Sequence, residues 1–192
     1  MSEMINPNHP YWQFRDLVTS DPRVFELYFS HYFYRPNSII DERVVFSVSR
    51  EDFLSDEYVY SLINNVPKNY ELAIHSNIKI ESGEIVHLPM IDLSSASKAL
   101  INRLSDFLEP EILSGFGWYN SGRSFHGYGS KFLSFNEWTS FMGTLLLVNQ
   151  KNMNPIVDPR WIGHRLIARY SALRWTKGTE QYLRVPEKVL LV

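Results

Sequence analysis

Two hydrophobic periods alternate along the chain. "RVVFSVS" (43–49) changes between apolar and polar and is rich in β-branched residues, which predicts a strand. "YELAIHSNIKI" and "EIVHLPMIDL" flank Ser82-Gly83 and predict a hairpin. "LSGFGWYNSGRSFHGYGSKF" predicts a second, glycine-rich hairpin, because five of the nine glycines fall between 115 and 129. Helical spacing appears in "SREDFLSDEYVYSLINNV" (49–66), which opens on a capping signature and stops at Pro67. It returns in "SASKALINRLSDFL", where Ala99, Leu100, Leu104 and Leu108 share a face, Ser94 or Ser95 is placed to cap, and Pro110 follows. Ser134 with Glu137 three residues on predicts a capped helix over 134–149. Near the start, Ser20-Asp21-Pro22 offers a cap and first turn for "RVFELYFSHYFY". There Phe25, Leu27, Tyr28, Tyr32 and Phe33 stand at mixed spacings, read as a helix with a wide aromatic face.

These elements predict an α+β fold. A mostly helical N-terminal lobe over 1–70 packs on a small antiparallel or mixed sheet flanked by helices over 71–192, the two forming one unit with no internal repeat. At 192 residues and 44% hydrophobic, the chain is large enough to bury a sizeable core.

A net charge of −2 favours neither a nucleic-acid binder nor a strongly acidic protein, but the distribution is uneven. Residues 1–60 carry ten acidic against five basic side chains, whereas 160–188 carry seven basic against two acidic. That surplus suits an anionic ligand, and equally a solvated helix face. The absence of cysteine removes disulfides, thiolate metal sites and thiol catalysis. No basic start followed by an apolar run opens the sequence, and its longest apolar run, "LLLV", is far too short to span a bilayer. A cytoplasmic protein with no membrane partner is expected.

Three places hold candidate chemistry. Asp92 ends an apolar run, where a carboxylate sits at an exposed strand end, caps the next helix or binds a cation. In the glycine-rich hairpin, Ser124, His126 and Tyr128 share one strand face, while Gly122, Gly127 and Gly129 leave room for a ligand or another backbone. Asp158 ends "IV" before Pro159, and beyond it come Arg165, Arg169, Ser171, Arg174 and Lys177, with Gly178 supplying a turn. Carboxylates, a histidine and a downstream basic cluster suit metal-assisted chemistry on phosphate.

The order of these pieces resembles the archaeo-eukaryotic primase superfamily. That family is marked by an Asp-x-Asp strand, a Ser-x-His strand, an apolar-Asp element and a basic segment. Here "IDLS", "SGRSFHGY", "IVD" and "HRLIARYSALRWTKG" occupy the four places, over roughly residues 85–180. The resemblance implies a primase-like, RRM-related core with Asp92, His126 and Asp158 converging as catalytic residues on its concave face. It implies Mg²⁺ or Mn²⁺ held by Asp92 and Asp158, and His126 contacting nucleotide phosphate assisted by Ser124. Arg165, Arg169, Ser171, Arg174 and Lys177 would grip phosphate or template. The implied partners are a nucleoside triphosphate, single-stranded DNA or RNA, and a separately encoded helicase or other replication or defence protein.

The sequence departs from this pattern where the first motif should supply a second carboxylate: the residues two away from Asp92 are Met90 and Ser94. Arg174 also replaces a histidine of the basic segment. Three readings therefore stand: an active primase-type nucleotidyltransferase, a primase-like domain that binds nucleotide or nucleic acid without catalysis, and an unrelated α+β interaction domain.

Overall fold

The structure is a computed structural model that describes residues 4–190. The chain starts with α1 (Tyr11–Ser20), β1 (Val24–Tyr32), β2 (Arg43–Ser49), α2 (Arg50–Leu54) and α3 (Asp56–Asn64). The strands β3 (Glu71–Ile80), β4 (Ile85–His87) and β5 (Met90–Asp92) lead into α4 (Lys98–Leu104) and α5 (Pro110–Leu113). A hairpin of β6 (Gly117–Asn120) and β7 (Phe125–Tyr128) precedes α6 (Phe135–Leu147) and α7 (Pro159–Ala168), and β8 (Ala172–Arg174) and β9 (Glu187–Lys188) follow. The result is the expected α+β arrangement, built on two antiparallel sheets.

The first sheet has the order β2-β1-β3-β4, with β8 sharing the β4 edge of β3. The second has the order β5-β7-β6-β9. One core lies between the first sheet and α1–α3, gathered around Trp175; a second lies under α4, α6 and α7 around Trp138.

The helical reading of "RVFELYFSHYFY" is corrected, since residues 24–32 form the strand β1 between β2 and β3. Two register irregularities, between Val24 and Glu26 and between Leu27 and Phe29, break the strict alternation. Because β1 is central, Leu27 and Phe29 enter the main core while Ser30 and Tyr32 are buried too. With buried residues on both faces and Phe25 exposed, the spacing of large apolar residues in β1 follows neither a clean strand nor a clean helix period.

The single helix expected over 49–66 is two. Ser49 Oγ accepts from the Asp52 amide at 3.1 Å, and Ser55 Oγ accepts from the Tyr58 amide at 3.3 Å, so Ser55 ends one helix and caps the next. Neither Ser94 nor Ser95 caps α4, whose N-cap is Ser97; Ala99 is exposed, and Ile101 joins Leu104 and Leu108 in the core.

The capping box of α6 forms as read: Ser134 Oγ accepts from the Glu137 amide, and the Ser134 amide donates to Glu137 Oε2 at 2.7 Å. Ser134→Ala is expected to cost about 1 kcal/mol and lower the thermal midpoint by roughly 2–4 °C, measured by circular dichroism. No change in the midpoint would show that the rest of the α6 packing holds this end without its cap.

Among the described residues no helix is long and apolar enough to cross a membrane.

Candidate functional site

The site is built by strand register. Asp92, the last residue of β5, lies opposite His126 of β7 on one side. On its other side a bridge joins Leu93 to Val157, and the Asp158 amide donates to the Asp92 carbonyl at 2.9 Å. Asp158, Asp92 and His126 thus stand in neighbouring positions across three chain segments, and facing residues of antiparallel neighbours share a face. Asp92 ends a strand without capping the following helix, whereas Asp158 caps α7: its Oδ1 accepts from the Arg160 amide at 2.8 Å and the Trp161 amide at 3.3 Å. That cap explains why a carboxylate precedes Pro159, a residue suited to the first helical position.

Ser124 Oγ donates to Asp92 Oδ1 at 3.0 Å and lies 3.0 Å from Ser121 Oγ. His126 Nε2 is 3.8 Å from Asp92 Oδ1. Both side chains come up behind Asp92, which itself lines a cleft together with Asp158. His126 therefore reaches Asp92 and not the cleft surface. Tyr128, expected on the same face, is fully buried in the main core.

The glycines of this hairpin make room for the protein's own atoms. A Cβ on Gly127 would lie 2.7 Å from the Trp118 ring, and one on Gly129 would lie 2.4 Å from Pro89. Gly122 supplies a left-handed turn residue at φ +109°.

Electrostatics sets the row apart. Burial and then the neighbouring Asp158 carboxylate push the Asp92 carboxyl up to about 7, against the Ser124 hydrogen bond and the Arg174 guanidinium. Burial, followed by Arg174, holds His126 well below its ordinary range, so its imidazole is neutral at pH 7. The Arg174 guanidinium donates to the carbonyls of Thr176, Arg184 and Ser121 and lies 4.0 Å from the Tyr182 ring centre. It is a buried cation with no carboxylate in ion-pair range among the described residues, facing the cleft that holds Asp92 and Asp158.

The opposite wall comes from residues that the sequence pattern did not mark. The segment after β1 contributes Arg35, Asn37 and Asp41 to the cleft, β2 contributes Arg43, and α7 contributes Arg160 and His164. Asp41 Oδ2 receives Arg43 Nε at 2.7 Å and also Arg165, whose side chain is buried and whose Nη1 has no partner. Of the expected basic group, Arg165 and Arg174 line the cleft.

Arg169, Ser171 and Lys177 stand apart from the cleft lining. Arg169 is the left-handed C-cap of α7, with its guanidinium 4.7 Å from the Phe135 ring centre. Ser171 is fully buried and accepts from Trp138 Nε1 at 3.0 Å, a packing role. Lys177 is exposed on a loop fixed by Glu71, a buried carboxylate that accepts from the Gly178 and Thr179 amides, each at 2.9 Å, and from both threonine hydroxyls. Only the distant pairing of β3 with β8 reveals that partnership, which no local signal announces.

The donor set has a definite limit. Among the described residues no group of three or more histidines and carboxylates is placed to hold a metal ion. Met90 is buried in the core, Ser94 Oγ donates to the Pro155 carbonyl, and Glu84 lies outside the cleft. With one oxygen of Asp92 on Ser124 and one of Asp158 on the α7 amides, the Oδ2 atoms of both are left unbonded among the described residues. Unbonded carboxylate oxygens are the donor type that hard divalent cations take.

No curated protein and no solved structure matches the chain. A family model described as archaeo-eukaryotic primase 1D-like matches residues 50–187, from the start of α2 to β9. That span includes Asp92, Ser124, His126 and Asp158, and the chain belongs to the archaeo-eukaryotic primase 1D-like family.

Proposed function

We propose that the cleft carries out metal-dependent nucleotidyl transfer, joining nucleoside triphosphates into a strand on single-stranded nucleic acid. The observation that carries this reading is the carboxylate pair Asp92–Asp158, half-spent on internal hydrogen bonds and facing a cleft in which Arg160 and Arg174 have no carboxylate partner among the described residues. Asp92 and Asp158 would hold Mg²⁺ or Mn²⁺ through their free oxygens. The ion supplies Lewis acidity, lowering the proton affinity of the attacking 3′-hydroxyl and neutralising charge on the phosphates.

The protein's own residues prepare that site. Asp158 is fixed by the first turn of α7, which holds the position of its second oxygen. Ser124 orients Asp92 by its hydrogen bond, and the neutral His126 packs behind the same oxygen without adding a competing cation. Arg165 and Arg174 place positive charge in the wall where a polyphosphate would lie. Transfer would form a bond from the 3′-oxygen to the α-phosphorus as the hydroxyl proton passes to water, break the α–β bridge and release pyrophosphate.

A second reading, nucleotide or nucleic-acid binding without catalysis, is favoured by Met90 and Ser94, which turn to the core and to Pro155 and leave no further carboxylate for a second ion. Primer synthesis and extension separate the two. Purified protein, single-stranded DNA and labelled NTP or dNTP with Mn²⁺ or Mg²⁺ should give products that Asp158→Ala abolishes. Absence of product with every metal and nucleotide would leave the binding reading in its place.

A further inference from the structure

The cleft has an aromatic lip that neither the carboxylate chemistry nor the family match accounts for. Phe33, Tyr34 and Arg35 leave the end of β1 and line the cleft, and they precede the matched residues. Tyr34 is 45% exposed and lines the cleft, so its ring is open to whatever enters there. Its ring centre lies 5.9 Å from that of Tyr182. Tyr182 in turn is held from two directions: its hydroxyl is 2.8 Å from that of Tyr32, and the Arg174 guanidinium lies 4.0 Å from its ring centre. Beside this pair, Phe33 meets Tyr70 at 6.0 Å, and the Arg35 guanidinium lies 5.6 Å from the Phe33 ring centre.

The arrangement is a fixed ring supporting a half-open one, with an exposed arginine alongside. Tyrosine loses little rotamer freedom on engagement, and aromatic faces next to basic side chains are how single strands are held without reading their sequence. Arg35 pairs with Glu42 at 3.2 Å, but Arg160 at the same mouth has no carboxylate partner among the described residues; a purely apolar partner would leave it without counter-charge, whereas a strand brings phosphates to it.

We propose that Tyr34, backed by Tyr182, is a stacking platform for an unpaired base of the single-stranded nucleic acid, with Arg160 available to its backbone. The proposal rests on the reading that this cleft takes nucleic acid, but it requires neither metal nor chemistry.

The test is fluorescence anisotropy with a labelled oligothymidylate in chelator, comparing wild type, Tyr34→Ala and Tyr34→Phe. Tyr34→Ala should weaken binding roughly 5- to 150-fold, the range for losing one stacked base. Tyr34→Phe, which keeps the ring, should bind like wild type. An abasic oligomer of the same length should bind wild type as weakly as oligothymidylate binds Tyr34→Ala. Equal affinity of wild type and Tyr34→Ala, or no oligonucleotide binding at all, overturns the platform. A loss confined to free nucleoside triphosphate, with strand affinity intact, overturns it in favour of the incoming base. Strand binding that depends on Tyr34 without any primer synthesis sinks the catalytic reading alone; synthesis with binding indifferent to Tyr34 sinks this one alone.

Discussion

Asp92→Asn is expected to make the protein more stable and inactive. In the folded chain this carboxyl titrates near 7, pushed up by burial and by Asp158, whereas in the unfolded chain it titrates near the ordinary 3.8. Between those two values the folded state holds a proton that the unfolded state has released. Stability contributed by this group is therefore fully present below about pH 4, falls as pH rises, and levels off above about 7. Asparagine removes that loss. Because the Asp92 side chain keeps 20% of its exposure, water tempers the effect, and a gain on the order of 2 kcal/mol at pH 8 in chelator is expected. For a chain of this length that is roughly 4–8 °C in the thermal midpoint. The gain should vanish at pH 4.

Under the proposed function the same substitution should lower nucleotide incorporation at least about a hundredfold, since it removes half of the carboxylate pair. Mn²⁺ should raise the melting temperature of the wild type and leave the variant unchanged. A variant that melts below wild type at pH 8 would mean that burial and the Asp158 carboxylate do not disfavour the charged Asp92.

Trp175→Ala is expected to be the most damaging substitution for the fold. The indole is fully buried, and its ring centre lies 5.2 Å from that of His9, 5.4 Å from Phe29 and 5.6 Å from Phe14. Its carbonyl also lies 3.0 Å from His9 Nε2, which ties the segment before α1 to the residue after β8. Truncation leaves a cavity between α1, β1 and α2 that several rings would have to collapse to fill. The expected loss is about 3–5 kcal/mol, or roughly 6–20 °C in the thermal midpoint. Trp175→Phe should lose much less. A loss under about 1 kcal/mol in urea denaturation would show that the main core is organised elsewhere.

What the sequence revealed follows the range of the forces involved. The α6 capping box and the β6–β7 hairpin rest on residues a few positions apart, and both formed as read. The positions of Asp92, Ser124, His126 and Asp158 followed from motif order, because each ends or enters a short local element. β1 is not legible, since two irregularities disturb its alternation and leave buried residues such as Phe29, Ser30 and Tyr32 on both of its faces. The cleft wall of Arg35, Asp41 and Arg43 was equally hidden. These residues lie in a loop and at an edge strand, and their meaning comes from Arg165 and Arg174 more than a hundred residues later. Ser171 shows the converse: a motif position that suggested ligand contact turns out to satisfy a buried tryptophan.

The pairing of β3 has a kinetic consequence. On one edge it meets β1, with Val24 opposite Ile80, and on the other it meets β8, with Ala73 opposite Arg174. Closing the second pairing requires the chain to bring together segments a hundred residues apart, and such contacts are slow to form. Arg174 reaches its place beside Asp92 only when that closure is complete. The cleft is then a late product of folding, and partly folded chains carry the motifs without the site. Pulse-labelled amide exchange during refolding should find the β3–β8 amides protected last, together with the recovery of any ligand binding.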